Sequence, residues 1–335
     1  NTTDTGSFRD PAALGTVVTS SDTNLTGLAT VTFRTNTHRD VTTTVSATSA
    51  VSVSGTSSNI VTTFGAIDHW VVTTSNSGNP VAGSQISADA QAQDANNNNV
   101  DTASPVTVSW SETNTTDTGS FFAYADGTTA TLTSTTNSTG LAHIKFTTNT
   151  HKNVTTKVVA TGGTGSKTGQ SADVTTTFGA LDHFVVTPSD VTPVAGDQIT
   201  VTAQAQDFYN NDITTSGTTV TWSETNTTDT GAFYDFATGL VGGTTSDTDS
   251  SGVAKMSFTT NTVRDIGTEL VATSAGKTGT SATVTTTFGA IDHWVVTSDS
   301  YGPVAGADVT VTAQAQDINN NNVDTASPVT VSWSQ

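Results

Sequence analysis

The residues best suited to chemistry in this sequence are aspartates that recur at two fixed positions. One stands in the motif GAIDH or GALDH. The other follows AQAQ and opens an Asn-rich segment such as DANNNNVD. Carboxylate and amide oxygens on loops are the ligands that Ca²⁺ prefers, although such residues also cap turns without a metal. The pattern predicts calcium sites, one at each junction between repeats, at Asp68, Asp94, Asp182, Asp207, Asp292 and Asp317.

Catalytic chemistry finds little support in the sequence. The chain has no cysteine, no HExxH motif and no GxSxG motif that would activate a serine. Glu112 and Glu224 each stand alone in their repeat, so we expect solvated strand ends and not a catalytic pair. The recurring histidines His69, His183 and His293 are expected to form structural hydrogen bonds. The sequence therefore predicts that the protein is not an enzyme.

The sequence also contains Asn-x-Ser/Thr sequons, which are acceptor motifs for N-linked glycosylation. They recur at one position of the repeat, in the motif NTTDTG, at Asn1, Asn114 and Asn226. We predict these three asparagines as glycosylation sites, with bare turn residues as the alternative.

The elements that position these residues come from an internal repeat. The motif TFGA-I/L-DH-W/F-VV begins at Thr63, Thr177 and Thr287, so the period is 114 and then 110 residues. This period matches one complete β-sandwich and is too long for a solenoid unit. Apolar and polar residues alternate in DVTVTAQAQD, PVTVSW and GLAHIKF, which indicates strands with one buried face.

About seven strands are predicted for each unit, in an immunoglobulin-like order. Strand A is DHWVV, B is AQAQD, C is VTVSW, D is the Thr-rich stretch, E is GLAHIKF, F is TKVVAT and G is ADVTTTF. Strand C places a tryptophan where immunoglobulin sandwiches carry their core tryptophan. We predict an all-β fold of tandem Ig-like sandwiches with the core anchors Trp110, Trp222 and Trp333.

The repeat boundaries predict two complete units between two partial ones. The predicted divisions are 1–64 as the C-terminal half of a repeat (strands D–G), 65–178 and 179–288 as complete repeats, and 289–335 as an N-terminal half (strands A–C). Two origins of the half-repeats stay open: a window within a longer array, or separate subunits that complete each other by strand complementation.

Residues 180–223 carry the pattern "HF-V…AG…TV-A-D-xx-N". This segment resembles the tandem Ig-like repeats of large bacterial and archaeal surface proteins, such as the invasin and intimin family. The resemblance extends over the whole chain through the repeat. It implies Ig-like domains stacked as a stalk in a cell-surface adhesin or filament, in an extracellular setting.

The charge composition limits the classes of partner that the chain is expected to bind. The chain has 29 acidic and 10 basic residues and a net charge of −19, which disfavours nucleic acid and anionic membranes. No apolar run is long enough to span a bilayer, so no membrane insertion is expected. Neighbouring copies of the same repeat, end to end and also side by side, are the predicted partners, and any surface or glycan ligand is unknown.

The sequence therefore predicts an extracellular structural or adhesive filament protein, a fibril segment of stacked domains. The linker GAIDH between strands G and A is short, so we expect the preceding repeat's E–F loop, NTHKNVTT at 149–156, to abut it. Calcium would stiffen each junction. The alternative is a carbohydrate- or ice-binding module with flat threonine-rich faces.

Overall fold

Strands form the whole of the regular structure in the part of the chain that is described. The computed structural model describes residues 5–75 and 78–335, and every helix or strand element within those ranges is a strand. The chain divides into two compact units, Asn1–Thr177 and Phe178–Gln335. Each unit contains one sandwich of two four-stranded sheets and one smaller half-repeat.

The first unit contains sixteen strands among its described residues. Those of its half-repeat are β1 (Ser7–Arg9), β2 (Thr32–Arg34), β3 (Thr42–Thr43), β4 (Ser46–Thr48), β5 (Ser54–Thr56) and β6 (Ile60–Val61). Those of its sandwich are β7 (His69–Thr74), β8 (Gln85–Gln93), β9 (Thr107–Glu112), β10 (Ser120–Phe122), β11 (Thr133–Thr135), β12 (Leu141–Thr147), β13 (Thr155–Thr156), β14 (Val158–Gly162), β15 (Lys167–Gln170) and β16 (Val174–Thr175).

The second unit repeats this arrangement with its sandwich first. The sandwich strands are β17 (Leu181–Pro188), β18 (Gln198–Asp207), β19 (Thr219–Glu224), β20 (Ala232–Asp235), β21 (Thr245–Asp247), β22 (Val253–Thr259), β23 (Gly267–Thr268), β24 (Leu270–Ser274), β25 (Lys277–Thr280) and β26 (Val284–Thr285). The half-repeat contributes β27 (His293–Ser298) and β28 (Val311–Gln316).

The sheet order confirms the predicted fold class. In the first unit the sheets have the order β10-β12-β8-β7 and β11-β9-β14-β15, and in the second β20-β22-β18-β17 and β21-β19-β24-β25. All of these strand pairs are antiparallel. Strands A, B and E thus form one sheet and C, F and G the other, which is an Ig-like sandwich.

The predicted alternation produces the core. Along β12, Ala142, Ile144 and Phe146 are fully buried, while His143 and Lys145 between them are partly exposed on the outer face. Trp110 lies in the same core, and its indole N–H donates to Ser134 Oγ at 2.8 Å. Trp222 is buried in the second sandwich and donates to Ser246 Oγ at 2.9 Å.

Two strand predictions were wrong in position. The Thr-rich stretch predicted as strand D supplies β10 to the sheet of A, B and E, and β11 to the other sheet. The main strand G is β15, because Lys167–Gln170 is the segment that pairs with β14. The predicted strand ADVTTTF contributes only the two-residue β16, which pairs with β13.

The prediction of Trp333 as a core anchor was also wrong for this chain. Trp333 is 57% exposed, against 3% for Trp110, and residues 328–333 form no strand. In the intact repeat, strand C is paired on both sides, by β11 and β14. Residues 289–335 contain no counterparts of those two strands, so the tryptophan has no inner face to pack on.

Candidate functional site at the repeat junctions

Asp94 is the centre of the first junction. This buried residue directly follows strand β8, and its Oδ2 accepts a hydrogen bond from Gly65 N of the preceding linker at 2.8 Å. Its Oδ1 accepts from Asn96 N and Asn98 N, each at 2.9 Å. One carboxylate therefore ties the linker to the turn that follows strand B.

Asn98 carries the connection to the preceding half-repeat. Its buried side-chain amide donates to both carboxylate oxygens of Asp94, at 3.2 and 3.1 Å, and to Thr37 O at 2.8 Å. Its Oδ1 accepts from Arg39 N at 2.9 Å. The amide thus has partners on both sides of the junction, and a residue with only acceptors could not replace it.

Arg39 adds a charged contact to the same loop. Its guanidinium forms a two-point contact with Asp101 at 3.1 and 2.8 Å, and Nη1 also donates to Asn99 O at 2.6 Å. The guanidinium carbon lies 5.0 Å from the centroid of the Phe64 ring. A planar fork that fits a carboxylate and stacks on an aromatic ring is a property of arginine that lysine lacks.

The second unit contains the same arrangement at its own junction. Asp317 accepts from Gly289 N at 2.9 Å and from Asn321 N at 2.8 Å. The Asn321 amide donates to Thr262 O at 2.9 Å. We call these two sets of residues the junction clamps: Asp94, Asn98, Asp101 and Arg39 in the first unit, and Asp317, Asn321, Asp324 and Arg264 in the second.

Arg264 completes the second clamp as Arg39 completes the first. Its backbone N–H donates to Asn321 Oδ1 at 2.9 Å, and its Nη2 donates to Asp324 Oδ2 at 2.7 Å. Its guanidinium carbon lies 4.8 Å from the centroid of the Phe288 ring. Two junctions with slightly different sequences therefore share one geometry.

The loop that presents the arginine is shaped by local polar contacts. Asn36 Oδ1 and Asn261 Oδ1 accept from the backbone two residues later, at 2.9 Å in each case. Thr62 Oγ1 donates to His38 O across the loop at 2.6 Å. Asp40 and Asp265 each have φ of 61°, a left-handed conformation that aspartate tolerates better than most residues. The recurring NTHRD and NTVRD motifs encode this loop.

The pKa shifts of the clamp residues agree with the hydrogen bonds that these residues form. Burial alone would raise the pKa of Asp94, but the hydrogen bonds from Gly65 and Asn98 stabilise the charged form and lower the pKa to about 2. The same balance lowers the pKa of Asp317. Hydrogen bonding to Asp101 raises the pKa of Arg39. The clamps are therefore fully charged at neutral pH.

The linker aspartates have other partners. Asp68 lies 3.3 Å from His69 Nδ1 and 3.4 Å from Lys167 Nζ. Asp182 lies 3.2 Å from His183 Nδ1 and 3.0 Å from Lys277 Nζ. In both residues, hydrogen bonds from these histidine and lysine side chains lower the pKa.

Asp292 and Asp207 complete the predicted aspartate set. Asp292 contacts His293 Nδ1 at 3.1 Å. Asp207 accepts from Gly179 N at 2.8 Å and from Asn211 N at 2.9 Å, as Asp94 does from its own linker and turn.

The carboxylate oxygens predicted to bind calcium already have partners within the chain. Asp68 and Asp94 both line one surface cleft of about 760 Å³. However, N–H donors already occupy both oxygens of Asp94. Within residues 5–75 and 78–335, no group of three or more His, Cys, Asp or Glu is arranged to hold a metal ion. Hydrogen-bond donors therefore surround the Asp94 carboxylate, and calcium binding stays a prediction.

The asparagines of the sequons form turns. Asn114 Oδ1 accepts from Thr116 N at 3.0 Å, and Asn226 Oδ1 accepts from Thr228 N at 3.0 Å. Both are partly exposed, and the oxygen rather than the nitrogen makes the turn contacts. Asn1 lies outside the described residues. Glycosylation stays a prediction at all three.

Glu112 and Glu224 are not the solvated strand ends that the sequence suggested. Glu112 Oε1 accepts from Gly119 N at 2.6 Å, and Glu224 Oε1 accepts from Gly231 N at 2.7 Å. Partial burial raises the pKa of both carboxyls. Each one supports the turn of the NTTDTG motif.

The arginines of the clamps were not singled out from the sequence. Their signal is the recurrence of a basic residue in the E–F loop, in NTHRD, NTHKN and NTVRD. The loops of Arg39 and Arg264 contact the turn after strand B of the following repeat, while the expectation for the loop at 149–156 stays a prediction.

Comparisons with known proteins give structural similarities only. No family model matches the chain, and no curated protein sequence matches it. The chain is similar to the Escherichia coli adhesin FdeC at 19% identity, over 77% of this chain and 76% of that chain, with a TM-score of 0.40.

Two further solved structures are similar at lower scores. The D0–D1 domain of intimin matches at 18% identity, over 64% of this chain and 97% of that chain, with a TM-score of 0.26. A glycosyl hydrolase family 2 member from Bacteroides cellulosilyticus matches at 12%, over 66% and 24%, with a TM-score of 0.28. Since every score is below 0.5, the fold assignment rests on the strand pairing. Across the described residues, no helix is long and apolar enough to cross a membrane.

Proposed function

We propose that this chain is a segment of an extracellular surface filament whose Ig-like repeats are joined by stiff junctions. The observation that carries the proposal is the junction clamp. It recurs in both units with equivalent residues, and it connects each linker, strand-B turn and preceding E–F loop by hydrogen bonds. Such a device has no use in a string of independent domains, because it removes bending freedom from the connection.

The clamp is suited to a stiff junction because its hydrogen bonds join three segments of the chain directly. The linker contributes a backbone N–H, the preceding loop contributes a carbonyl and an N–H, and the next repeat contributes one aspartate and one asparagine. Rotation at the linker would break several of these bonds together. A net charge of −19 favours a hydrated extracellular setting and keeps single chains soluble.

The adhesive part of the proposal rests on the resemblance of residues 180–223 to the repeats of bacterial surface adhesins. In this proposal the segment is a stalk that displays a ligand-binding region elsewhere in the assembly. The proposed partners are neighbouring repeats, end to end and side by side.

Negative-stain electron microscopy of the purified chain, with and without a calcium chelator, tests the filament proposal. Particles with the repeats in line and a narrow distribution of junction angles are expected. Compact globular particles would overturn the proposal. The chelator arm tests calcium separately: broader junction angles and a lower melting temperature in chelator would support a bound ion.

Carbohydrate binding is the second candidate, and one observation favours it. Phe208 is exposed on the turn after β18 and contacts Tyr209 edge to face, with ring centroids 5.1 Å apart. Exposed aromatic rings can stack on sugars. A glycan array that shows binding to the parent chain and none to the Phe208→Ala variant would support this candidate, and no binding to either would remove it.

A further inference from the structure

A cluster of polar and aromatic side chains lies on the outer face of the first complete sandwich. Tyr124, just after β10, is 47% exposed, and its ring centroid lies 4.8 Å from that of His143 on β12. His143 Nδ1 lies 2.7 Å from Asp89 Oδ1 on β8. Lys145 Nζ lies 4.8 Å from the Tyr124 ring centroid and donates to Ser87 Oγ at 2.7 Å. We call these five residues the outer-face cluster.

Strand pairing brings the cluster together. In the antiparallel pair of β12 and β8, His143 lies opposite Asp89, and Lys145 lies opposite Ser87. Side chains alternate along a strand, so positions two apart share one face, and here it is the face away from the core. On its other side β12 pairs with β10, and the chain just beyond β10 places Tyr124 beside His143. Paired strands therefore position four of the five side chains.

The ammonium group of the cluster has no carboxylate partner. Elsewhere in this repeat, Lys157 pairs with Asp173 and Lys167 pairs with Asp68. Among the residues that the structure describes, no carboxylate forms an ion pair with Lys145, whose ammonium group donates to a neutral hydroxyl. The chain has 29 acidic residues against 10 basic ones, so carboxylates are abundant. A lysine that pairs with none of them leaves its charge available to a ligand, beside an exposed aromatic ring.

The second complete repeat has a simpler form of the same combination. Phe236 stands at the position of Tyr124 and is 49% exposed. Lys255 Nζ lies 6.0 Å from the centroid of the Phe236 ring. Since Lys255 takes the position of His143, this repeat has no equivalent of the histidine–aspartate pair. An exposed ring with a lysine over it thus recurs at one place in both complete repeats.

These groups suit one class of ligand. The exposed Tyr124 ring can contact the C–H face of a sugar ring, and the His143–Asp89 pair and the Ser87 hydroxyl can bond to sugar hydroxyl groups. The Lys145 ammonium group can form a charge-assisted hydrogen bond with a carboxylate. A uronic acid carries all three features on one ring. The net charge of −19 opposes binding of such an anion only in part, because physiological salt screens charges beyond about 8 Å.

We infer that the outer-face cluster binds sugars that carry a carboxylate, with the sugar ring on Tyr124 and the carboxylate on Lys145. The Phe236–Lys255 pair is a second and weaker site of the same class, because it lacks the histidine–aspartate pair. The inference goes beyond the filament function, since it assigns a ligand to the body of the repeat. It also concerns a different surface from the turn that carries Phe208.

Nuclear magnetic resonance titration of the full chain tests this site. The probes are trigalacturonic acid and the neutral galactose trisaccharide, which differ in the carboxylates. Trigalacturonic acid is expected to shift the backbone amide signals of β8, β12 and the residues just after β10. It should bind about threefold more tightly than the neutral trisaccharide, as expected for one exposed charge pair.

Two variants with matched controls assign the contacts. Tyr124→Ala should weaken binding of both trisaccharides about three- to tenfold, because it removes the aromatic contact. Lys145→Gln should abolish the preference for the acidic trisaccharide and leave binding of the neutral one unchanged. Phe208→Ala, at another exposed ring, and Lys157→Gln, at a lysine that pairs with Asp173, are the controls and should bind as the parent does. The amide spectrum of each variant verifies folding.

The outcomes separate this inference from the other proposals. Absence of signal shifts with both trisaccharides, equal affinity for the two, or an unchanged preference in Lys145→Gln overturns it. Shifts confined to the turn of Phe208 and lost in Phe208→Ala would also overturn it and would support the carbohydrate candidate at that turn. The junction angles seen by electron microscopy do not depend on any of these results, so the filament function is judged separately.

Discussion

At the scale of single residues, the asparagine of each clamp is the most constrained position. Asn98 must donate to a carboxylate and a carbonyl while it accepts from a backbone N–H. An aspartate there would keep the size and remove both donors, and it would place a second negative charge beside Asp94. The chain uses asparagine at this position in all three Asn-rich turns, at 98, 211 and 321.

Asn98→Asp should therefore destabilise the first unit by about 1–3 kcal/mol, the cost of unpaired buried polar groups. Chemical denaturation at neutral pH measures the loss. The control is Asn97→Asp, which makes the same charge change one residue earlier at an exposed position. Equal stability of the two variants would contradict the role assigned to the Asn98 amide.

Glu224 gives a pH-dependent prediction. Because burial raises its pKa above the ordinary value in the folded state, its ionisation opposes folding. This penalty is absent below the unfolded pKa and reaches its full value as pH rises through the folded pKa. Glu224→Gln keeps the acceptor for Gly231 N and should raise stability at pH 7. Solvent screening of this half-exposed carboxyl limits the gain to about 1 kcal/mol or less.

The measurement is the difference in unfolding free energy between Glu224→Gln and the parent from pH 4 to pH 8. It should be largest at high pH and shrink toward acid. Glu269→Gln, which removes the same charge near β24, is the control. A difference that is independent of pH would show that ionisation of Glu224 has no part in the effect.

At the scale of elements, a glycine determines how the turn after strand C returns to the sheet. A Cβ on Gly119 would lie 2.3 Å from Thr147 O and 2.6 Å from the Phe146 ring, and Gly231 is equally crowded by Thr259 and Phe258. The glycine of NTTDTG is thus required by close packing against strand E. The motif recurs because the same strand pair recurs.

Gly119→Ala should cost about 1–3 kcal/mol, because the neighbouring backbone and ring cannot move away without breaking strand pairing. Thermal unfolding compares it with Gly55→Ala, where a Cβ would meet no atom within 4 Å. A loss of stability at Gly55 as large as that at Gly119 would contradict the packing argument.

At the scale of the whole molecule, the proposed filament function requires the clamps to restrain adjoining repeats. Each combines backbone hydrogen bonds, which salt affects little, with a partly exposed Arg–Asp contact that salt screens. Stiffness should therefore fall only in part when salt is raised. The buried Asp–Asn contacts should maintain the remaining stiffness of the junctions at high salt.

Replacing both arginines, Arg39→Gln and Arg264→Gln, should broaden the junction angles seen by electron microscopy while each repeat stays folded. The backbone N–H bonds to Asn98 and Asn321 remain, so the loss is partial. Lys255→Gln, a charge change on the outer face of β22, is the control. If the arginine variants kept the narrow angle distribution of the parent, the guanidinium contacts would have no mechanical role.

Local sequence patterns were sufficient to predict which residues face the core, the repeat period and the recurring turn aspartates. The alternation in AQAQD and GLAHIKF fixed which residues face the core, because side chains in a strand point to opposite faces in turn. The recurring motifs fixed the period. The turn aspartates could be identified because the loops that contain them repeat with little change.

Only the tertiary structure decided which partners those residues have. Strand G lies at Lys167–Gln170 because pairing with β14 depends on long-range register, which a Thr-rich sequence leaves open. Arg39 meets Asp101 across 62 residues, a distance that local propensity cannot bridge. The sequence identified Asp94 as a recurring loop carboxylate, and the folded loop surrounds this carboxylate with N–H donors, because the linker and the turn both direct their backbone N–H groups at it.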